Sequence, residues 1–195
     1  MRRIFIGTLV VLTIALINGC ANRKITRVDP SETIDLSGRW NDSDSRLVSE
    51  EMIGDLLTSA WIPRYLKAND KRPVVVVGLV ENKSHEHINS ETFIKDVEKA
   101  IIRDGNIRLV VAGEKRNELR KERAEQQDYA SPETTKKWGK ELGADFILQG
   151  TINSIVDSYK KQKVVTYQID LQLTNIETNE VVWMGDKKIK KQISD

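Results

Sequence analysis

The single cysteine of this chain, Cys20, constrains its fold most, because no second thiol is present to form an internal disulfide. A domain of about 150 residues without cross-links depends on its hydrophobic core, and it buries roughly 70% of its unfolded surface. Cys20 also follows an N-terminal segment in which Arg2 and Arg3 precede an uncharged, mostly apolar run from Ile4 to Leu16. This order predicts a secretory signal peptide over residues 1–19, and the run is shorter than the ~20 residues of a membrane span.

The end of this signal, Ile17-Asn18-Gly19-Cys20, resembles the lipobox of bacterial lipoproteins. The resemblance implies cleavage before Cys20 and lipidation of that residue, whose acyl chains then bind a membrane stably. Ala21, not an aspartate, follows the cysteine, which in enteric-type bacteria favours the outer membrane. The alternatives are an ordinary signal peptide with a chance cysteine and an uncleaved N-terminal anchor helix.

The mature chain is electrically balanced. Removing residues 1–19 removes two of the 31 basic residues and no acidic residue, so 29 of each sign remain. No overall attraction to nucleic acid or to anionic lipid is therefore expected. Residues 20–41 lack apolar periodicity and predict a solvated tether, which spans about 25 Å as a coil and at most ~75 Å when extended. We expect Leu36 and Trp40 to pack on the domain, which we place at residues 42–195.

Apolar periodicity predicts the elements of this domain in the order α-β-α-β-α-α-β-β-β. The first helix carries an apolar stripe from Leu47 to Trp61 and is predicted to stop at Pro63. Val74–Val80 is continuously apolar, which predicts a strand covered on both faces. Asn89 or Ser90 is the predicted N-cap of the second helix.

The second half of the domain is predicted to end in strands. Residues 114–127 are highly charged, with Leu119 and Ala124 as the only candidates for burial, and the next helix is predicted at Ser131–Gly143. Val164–Thr174 alternates between apolar and polar residues and predicts a half-buried strand, followed by a turn and the strand Val181–Met184. The predicted fold class is α/β (α+β), a single mixed β-sheet with a C-terminal antiparallel meander, flanked by about four helices.

No residue pattern predicts catalysis, a metal or a cofactor. The histidines, His85 and His87, lie in a polar loop with Glu81 and Glu86 as neighbouring carboxylates, and an exposed loop is favoured over a metal site. The chain lacks a phosphate-binding glycine motif and a nucleophile elbow. Acidic residues are plentiful, which leaves a glycosidase pair open, but they lie mainly on predicted helix surfaces.

The basic clusters and the tryptophans are interpreted as structural. Lys115–Arg123 and Lys187–Lys191 are predicted to be solvated faces. A place in the core is favoured for the four tryptophans, Trp40, Trp61, Trp138 and Trp183. The residues alone therefore support a binding or regulatory lipoprotein.

Four segments carry a family resemblance: Asp35–Ser45, Val80–Ile88, Leu142–Gly150 and Thr178–Trp183. Together they resemble the LpoB family, the lipoprotein activators of penicillin-binding proteins. CsgG-like and TolB-amino-domain-like proteins share the last two segments, whereas the first two are more specific. The resemblance implies a TolB-amino-domain-like fold and no enzymatic activity.

The same resemblance implies an outer-membrane, lipid-anchored protein that faces the periplasm. Its partner would be a bifunctional class A penicillin-binding protein, a peptidoglycan synthase that it activates. The tether of about 22 residues is short compared with the long disordered tether of well-studied family members.

A polar loop on a rigid scaffold suits recognition, so we expect the partner surface at the loop that follows the first predicted strand. Its residues are Asn82, Lys83, Ser84, His85, Glu86 and His87. The alternative is that Asn82 and Ser84 only satisfy the loop backbone.

Two other functions stay open. One is a CsgG-like envelope-assembly or secretion accessory lipoprotein, which would need strands beyond those of the soluble sheet. The other is a hydrolase or glycan-binding protein of the cell wall, which would cleave or retain purified peptidoglycan.

Overall fold

The computed structural model describes residues 25–131, 133–134 and 141–194. The chain divides into two compact units, one ending at Glu32 and one beginning at Thr33. The described part of the first unit contains a turn in which the Asp29 carboxylate accepts a hydrogen bond from the Ser31 N–H at 2.8 Å.

Several predicted features lie outside the described residues. These are the signal peptide, Cys20, Trp138 and most of the helix predicted at Ser131–Gly143. No helix in the part of the chain that is described has the length and apolar character needed to span a membrane.

The second unit contains four helices and five strands among its described residues. The helices are α1 (Asp42–Thr58), α2 (Trp61–Asn69), α3 (Ser90–Asp104) and α4 (Gly113–Tyr129). The strands are β1 (Val74–Asn82), β2 (Arg108–Val110), β3 (Phe146–Tyr159), β4 (Gln162–Asn175) and β5 (Val181–Ser194).

The five strands form one mixed sheet in the order β2-β1-β3-β4-β5. Strand β1 is parallel to both β2 and β3, whereas β3, β4 and β5 form an antiparallel meander. The predicted mixed sheet with a C-terminal meander is therefore confirmed. A register shift between Val77 and Val80 interrupts the pairing of β1 with β3.

The core lies between the sheet and helices α1 and α3. The alternation predicted for β4 is confirmed, because its odd-numbered apolar side chains from Val165 to Leu173 are all buried. Val48 and Leu56 of α1, together with Phe93 and Ile101 of α3, belong to the same buried cluster. The predicted cap is also confirmed, since Asn89 accepts a hydrogen bond from the Glu91 N–H at 2.9 Å.

The prediction that Pro63 stops the first helix is wrong. Helix α1 ends at Thr58, and Pro63 lies in the first turn of α2, where a missing N–H costs no helical hydrogen bond. The Trp61 indole N–H donates to the Leu56 carbonyl at 2.9 Å and links the two helices.

Two predictions of burial are also wrong. The Leu36 side chain is 93% exposed, and Leu119 on α4 is 48% exposed. Helix α4 has no buried residue at all, and Ala124 is only half-buried. Its charged sequence offers no apolar stripe, so it contributes nothing to the core.

Strand β5 is longer than predicted, and the interpretation of Lys187–Lys191 as a solvated face is wrong for Lys191, although Lys188 and Lys190 are exposed. The strand continues past Met184 to Ser194. Less exposed positions alternate with more exposed ones along this strand, the less exposed being Ile189, Lys191 and Ile193. This is the alternation of a strand, and it is difficult to recognise in the sequence because one of the inward positions is a lysine. Lys191 is buried at 9% exposure.

Candidate partner-binding site

The loop expected to bind a partner connects the end of β1 to the N-cap of α3. Its side chains alternate in exposure. Lys83, His85 and His87 are exposed. Asn82, Ser84 and Glu86 are half-buried. The loop therefore presents one row of side chains to a partner and turns the other row toward the domain.

The inward row satisfies the backbone of the loop. The Asn82 amide donates to the Glu86 carbonyl at 2.8 Å, and its oxygen accepts a hydrogen bond from the Ser84 N–H at 3.0 Å. The Ser84 hydroxyl lies 3.1 Å from the Glu86 carbonyl and 2.7 Å from the Asn82 oxygen. The predicted backbone role of Asn82 and Ser84 is thus confirmed, and it makes the loop a rigid platform.

Contacts with β3 hold this platform on the sheet. The Lys83 N–H donates to the Ile152 carbonyl at 2.8 Å. The His85 N–H donates to the Ser154 hydroxyl at 3.0 Å, and the same hydroxyl lies 2.7 Å from His85 Nδ1. The His85 ring also stacks on the buried Tyr167 ring of β4, with centroids 6.3 Å apart.

Trp40 braces the loop from the N-terminal side. Its backbone N–H donates to the Glu86 carboxylate at 3.1 Å, and its ring contacts Tyr167 edge-on with centroids 5.4 Å apart. The expectation that Trp40 packs on the domain is confirmed.

The Tyr167 hydroxyl is buried and has no hydrogen-bond partner among the described residues. Burial, and then the nearby Glu86 carboxylate, raise the pKa of Tyr167 above its ordinary value. The alternation over Val164–Thr174 predicts only that Tyr167 shares the apolar face of a half-buried strand, and no pattern in the sequence links it to the loop.

Lys191 fixes the segment that carries Trp40. Its ammonium pairs with Asp44 at 2.7 Å and donates to the Arg39 carbonyl at 3.0 Å. It also pairs with Asp35. Burial lowers the pKa of Lys191, but these two carboxylates outweigh that effect and raise it above the ordinary value. We call residues 34–41, which these contacts hold on the domain, the strap.

The chemistry available at the loop is that of binding. His85 Nε2 lies 3.3 Å from Glu86 Oε1, and the imidazole of His87 is exposed. Among residues whose placement is described, no three His, Cys, Asp or Glu side chains gather as a metal site requires. Because both ring nitrogens of His85 contact groups of the domain, the exposed row offers the Lys83 ammonium and the His87 imidazole to an acidic or hydrogen-bonding surface.

The family model described as "Peptidoglycan-synthase activator LpoB" matches residues 44–189 of this chain. The chain belongs to the LpoB family. The match contains the loop at residues 82–87 and all of the sheet except the last five residues of β5. It leaves out the whole strap.

Solved structures similar to this member of the LpoB family include the LpoB C-terminal domains from Escherichia coli and Salmonella enterica. They are 18% and 16% identical to it, with TM-scores of 0.45 and 0.42. Each match covers 75% of this chain and 98% of the other. Lipoprotein GNA1162 from Neisseria meningitidis is 15% identical, with a TM-score of 0.38 and coverage of 62% and 83%. No curated protein matches this chain in sequence.

Proposed function

We propose that this protein is an outer-membrane lipoprotein that faces the periplasm and activates a bifunctional class A penicillin-binding protein. Membership of the family of peptidoglycan-synthase activators, through the match over residues 44–189, carries the proposal. The signal pattern and the position of Cys20 support the lipid anchor. In this account Cys20 carries the acyl chains, and the domain itself performs no catalysis.

The partner surface in this proposal is the loop of Asn82, Lys83, Ser84, His85, Glu86 and His87. The three exposed residues contact the synthase. The three half-buried residues hold them in place through the hydrogen bonds of the inward row. Because this row is satisfied before binding, little conformational entropy is lost when the partner docks.

Activation then follows from differential affinity. A protein without catalytic groups accelerates a synthase only if it binds the active conformation more tightly than the inactive one. A tenfold shift in that equilibrium corresponds to about 1.4 kcal/mol of differential binding, a small fraction of the binding energy of a typical protein interface.

The test is site-specific photo-crosslinking in living cells, with the crosslinker in place of His87. A class A penicillin-binding protein is the expected product. The matched control carries the crosslinker in place of Lys67, an exposed residue of α2, and is expected to give no such product. Capture of no synthase from His87, or equal capture from both positions, contradicts the proposed surface.

Lipidation is tested separately by mass spectrometry of the mature protein. A diacylglyceryl group and an N-acyl chain are expected on Cys20, and a Cys20→Ser variant is expected to carry neither. An unmodified Cys20 in the mature chain would contradict the proposed anchor.

A further inference from the structure

The three C-terminal strands extend beyond the rest of the sheet. The pairing of β1 with β3 ends where Asn82 meets Ile152. From there β3 continues to Tyr159, and β4 and β5 continue beside it, with Gln162 opposite both Tyr159 and Ser194. We call this three-stranded extension, residues 153–168 and 188–194, the blade.

The tip of the blade exposes large apolar side chains. Ile155 and Tyr159 are each 71% exposed, and Val156 is 41% exposed. Val156 is paired with buried Val165 and therefore lies on the core face of the sheet. Because successive side chains of a strand point to opposite faces, Ile155 and Tyr159 lie on the face opposite the core. On that face Ile155 and Tyr159 lie on either side of Asp157, so the tip presents two large apolar side chains to solvent, as surfaces that bind a partner or a membrane do.

The same tip is strongly basic. The blade contains six lysines, and Asp157 is its only acidic residue. Within the described residues, five of these lysines form no ion pair: Lys160, Lys161, Lys163, Lys188 and Lys190. The Lys160 ammonium lies 5.2 Å from the centre of the Tyr159 ring. An aromatic ring and aliphatic groups flanked by free ammonium groups match the interface of a bilayer with anionic headgroups.

The strap meets the domain beside this tip. Asp35, Leu36 and Gly38 line a groove together with residues 190–194 of β5, and a side chain at Gly38 would collide with Ile193. Thr33, where the compact unit begins, is only 13 positions after Cys20. That stretch spans at most about 45 Å, so Thr33 stays within this distance of the expected anchor.

We propose that the tip of the blade is a second membrane contact, which binds a surface of anionic phospholipids. The inference rests on the proposed lipid anchor for its geometry, because the anchor keeps the tip near a bilayer. Pairing of β5 with a second copy is disfavoured, because its lysine-rich edge repels an identical strand.

The test uses the full-length protein reconstituted in phosphatidylcholine vesicles with and without phosphatidylglycerol. An environment-sensitive fluorophore is attached to a Ser158→Cys variant, in which an acylated Cys20 offers no competing thiol. The fluorophore is expected to shift to shorter wavelength only in the phosphatidylglycerol vesicles, and to lose that shift at high salt. Ser158 is exposed at the tip, so the substitution leaves the core untouched.

Variants that remove lysine charges test whether the tip of the blade binds anionic lipid. Replacing two lysines in the double variant Lys160→Gln, Lys161→Gln is expected to weaken the contact about 30-fold, at about fivefold for each charge removed. The matched control is the double variant Arg64→Gln, Lys67→Gln on α2. This helix packs near Phe146, and Phe146 and Tyr159 are the two ends of β3, roughly 40 Å apart. This control is expected to bind like the unmodified protein.

A second variant, Tyr159→Ser, is expected to reduce the wavelength shift without changing its salt dependence. The inference is overturned if the shift is equal with and without phosphatidylglycerol, if both double variants respond alike, or if the shift depends on protein concentration, as self-association requires. Uptake of the fluorophore by Cys20 would instead overturn the lipid anchor. If Cys20 is acylated but the fluorophore at position 158 shows no wavelength shift, the proposed membrane contact of the blade is overturned and the proposed lipid anchor is not.

Discussion

The backbone N–H of Trp40 donates a hydrogen bond to the Glu86 carboxylate, 3.1 Å away across 46 positions of sequence. This bond joins the strap to the loop expected to bind a synthase. Since Lys191 holds the strap and the inward row holds the loop, the two segments stabilise each other. A change at either end of the bond is therefore expected to affect both.

Replacing Glu86 with alanine is expected to lower the free energy of unfolding by about 1–3 kcal/mol, because the Trp40 N–H loses its charged acceptor. The Glu86 side chain is 13% exposed, so water replaces that acceptor only in part. Denaturant unfolding monitored by tryptophan fluorescence measures the loss. The control is Glu81→Ala, which breaks only the exposed Lys83–Glu81 pair and is expected to cost under ~0.5 kcal/mol. Equal losses in the two variants would contradict the bracing role.

Replacing Lys191 with methionine is expected to cost about 3 kcal/mol or more, because it leaves the Asp44 carboxylate, 5% exposed, without its cation. The matched change, Lys187→Met, breaks the pair with the more exposed Glu51 and is expected to cost under about 1 kcal/mol. Thermal unfolding of the two variants side by side measures the difference. If Lys191→Met unfolds like the unmodified protein, the strap does not depend on this ion pair.

Two glycine substitutions are expected to act in opposite directions. Gly38 has φ +67°, and an added Cβ would lie 2.4 Å from Ile193 Cγ1, so Gly38→Ala is expected to release the strap and speed its cleavage by proteases. Gly54, in the middle of α1, has no atom within 4 Å of an added Cβ. Gly54→Ala is therefore expected to stabilise the domain by about 0.5–1 kcal/mol. Slower cleavage of Gly38→Ala would show that the close approach to Ile193 is not needed.

A pH effect is expected at Glu141. Hydrogen bonds from Arg120, and then from Arg123, lower the pKa of this carboxyl from 4.5 to about 2. A carboxyl whose pKa is lower in the folded state contributes its full stability above pH 4.5 and loses it as the pH falls toward 2. The advantage of the unmodified protein over Glu141→Gln is therefore expected to shrink across that window in thermal unfolding measurements. An advantage that grows on acidification would contradict the pairing.

Local patterns in the sequence predicted the parts of the fold that depend on neighbouring residues. The alternation in β4 and the Asn89 cap involve positions only a few residues apart. Lys191 was misplaced because its partner Asp35 lies 156 positions away, and a run of lysines resembles a solvated terminus. A proline after an apolar stripe predicts the end of a helix, but Pro63 is equally compatible with the first turn of a new one.

The candidate site was predictable only in part. A polar segment between a strand and a cap indicated the loop, and the backbone role of Asn82 and Ser84 followed from their known turn chemistry. The contacts of Glu86 with Trp40 and of His85 with Tyr167 join distant segments. Such contacts depend on how the sheet and strap pack, which the sequence of the loop does not contain.

The most direct test of the central claim is the rate of glycan polymerisation by a purified class A penicillin-binding protein from the same cell, measured with increasing amounts of the full-length lipoprotein. A several-fold, saturable rise in rate is expected, which His87→Ala reduces and Lys67→Ala leaves unchanged. A rate that stays constant at every concentration of folded lipoprotein, with every class A synthase of that cell, would contradict it.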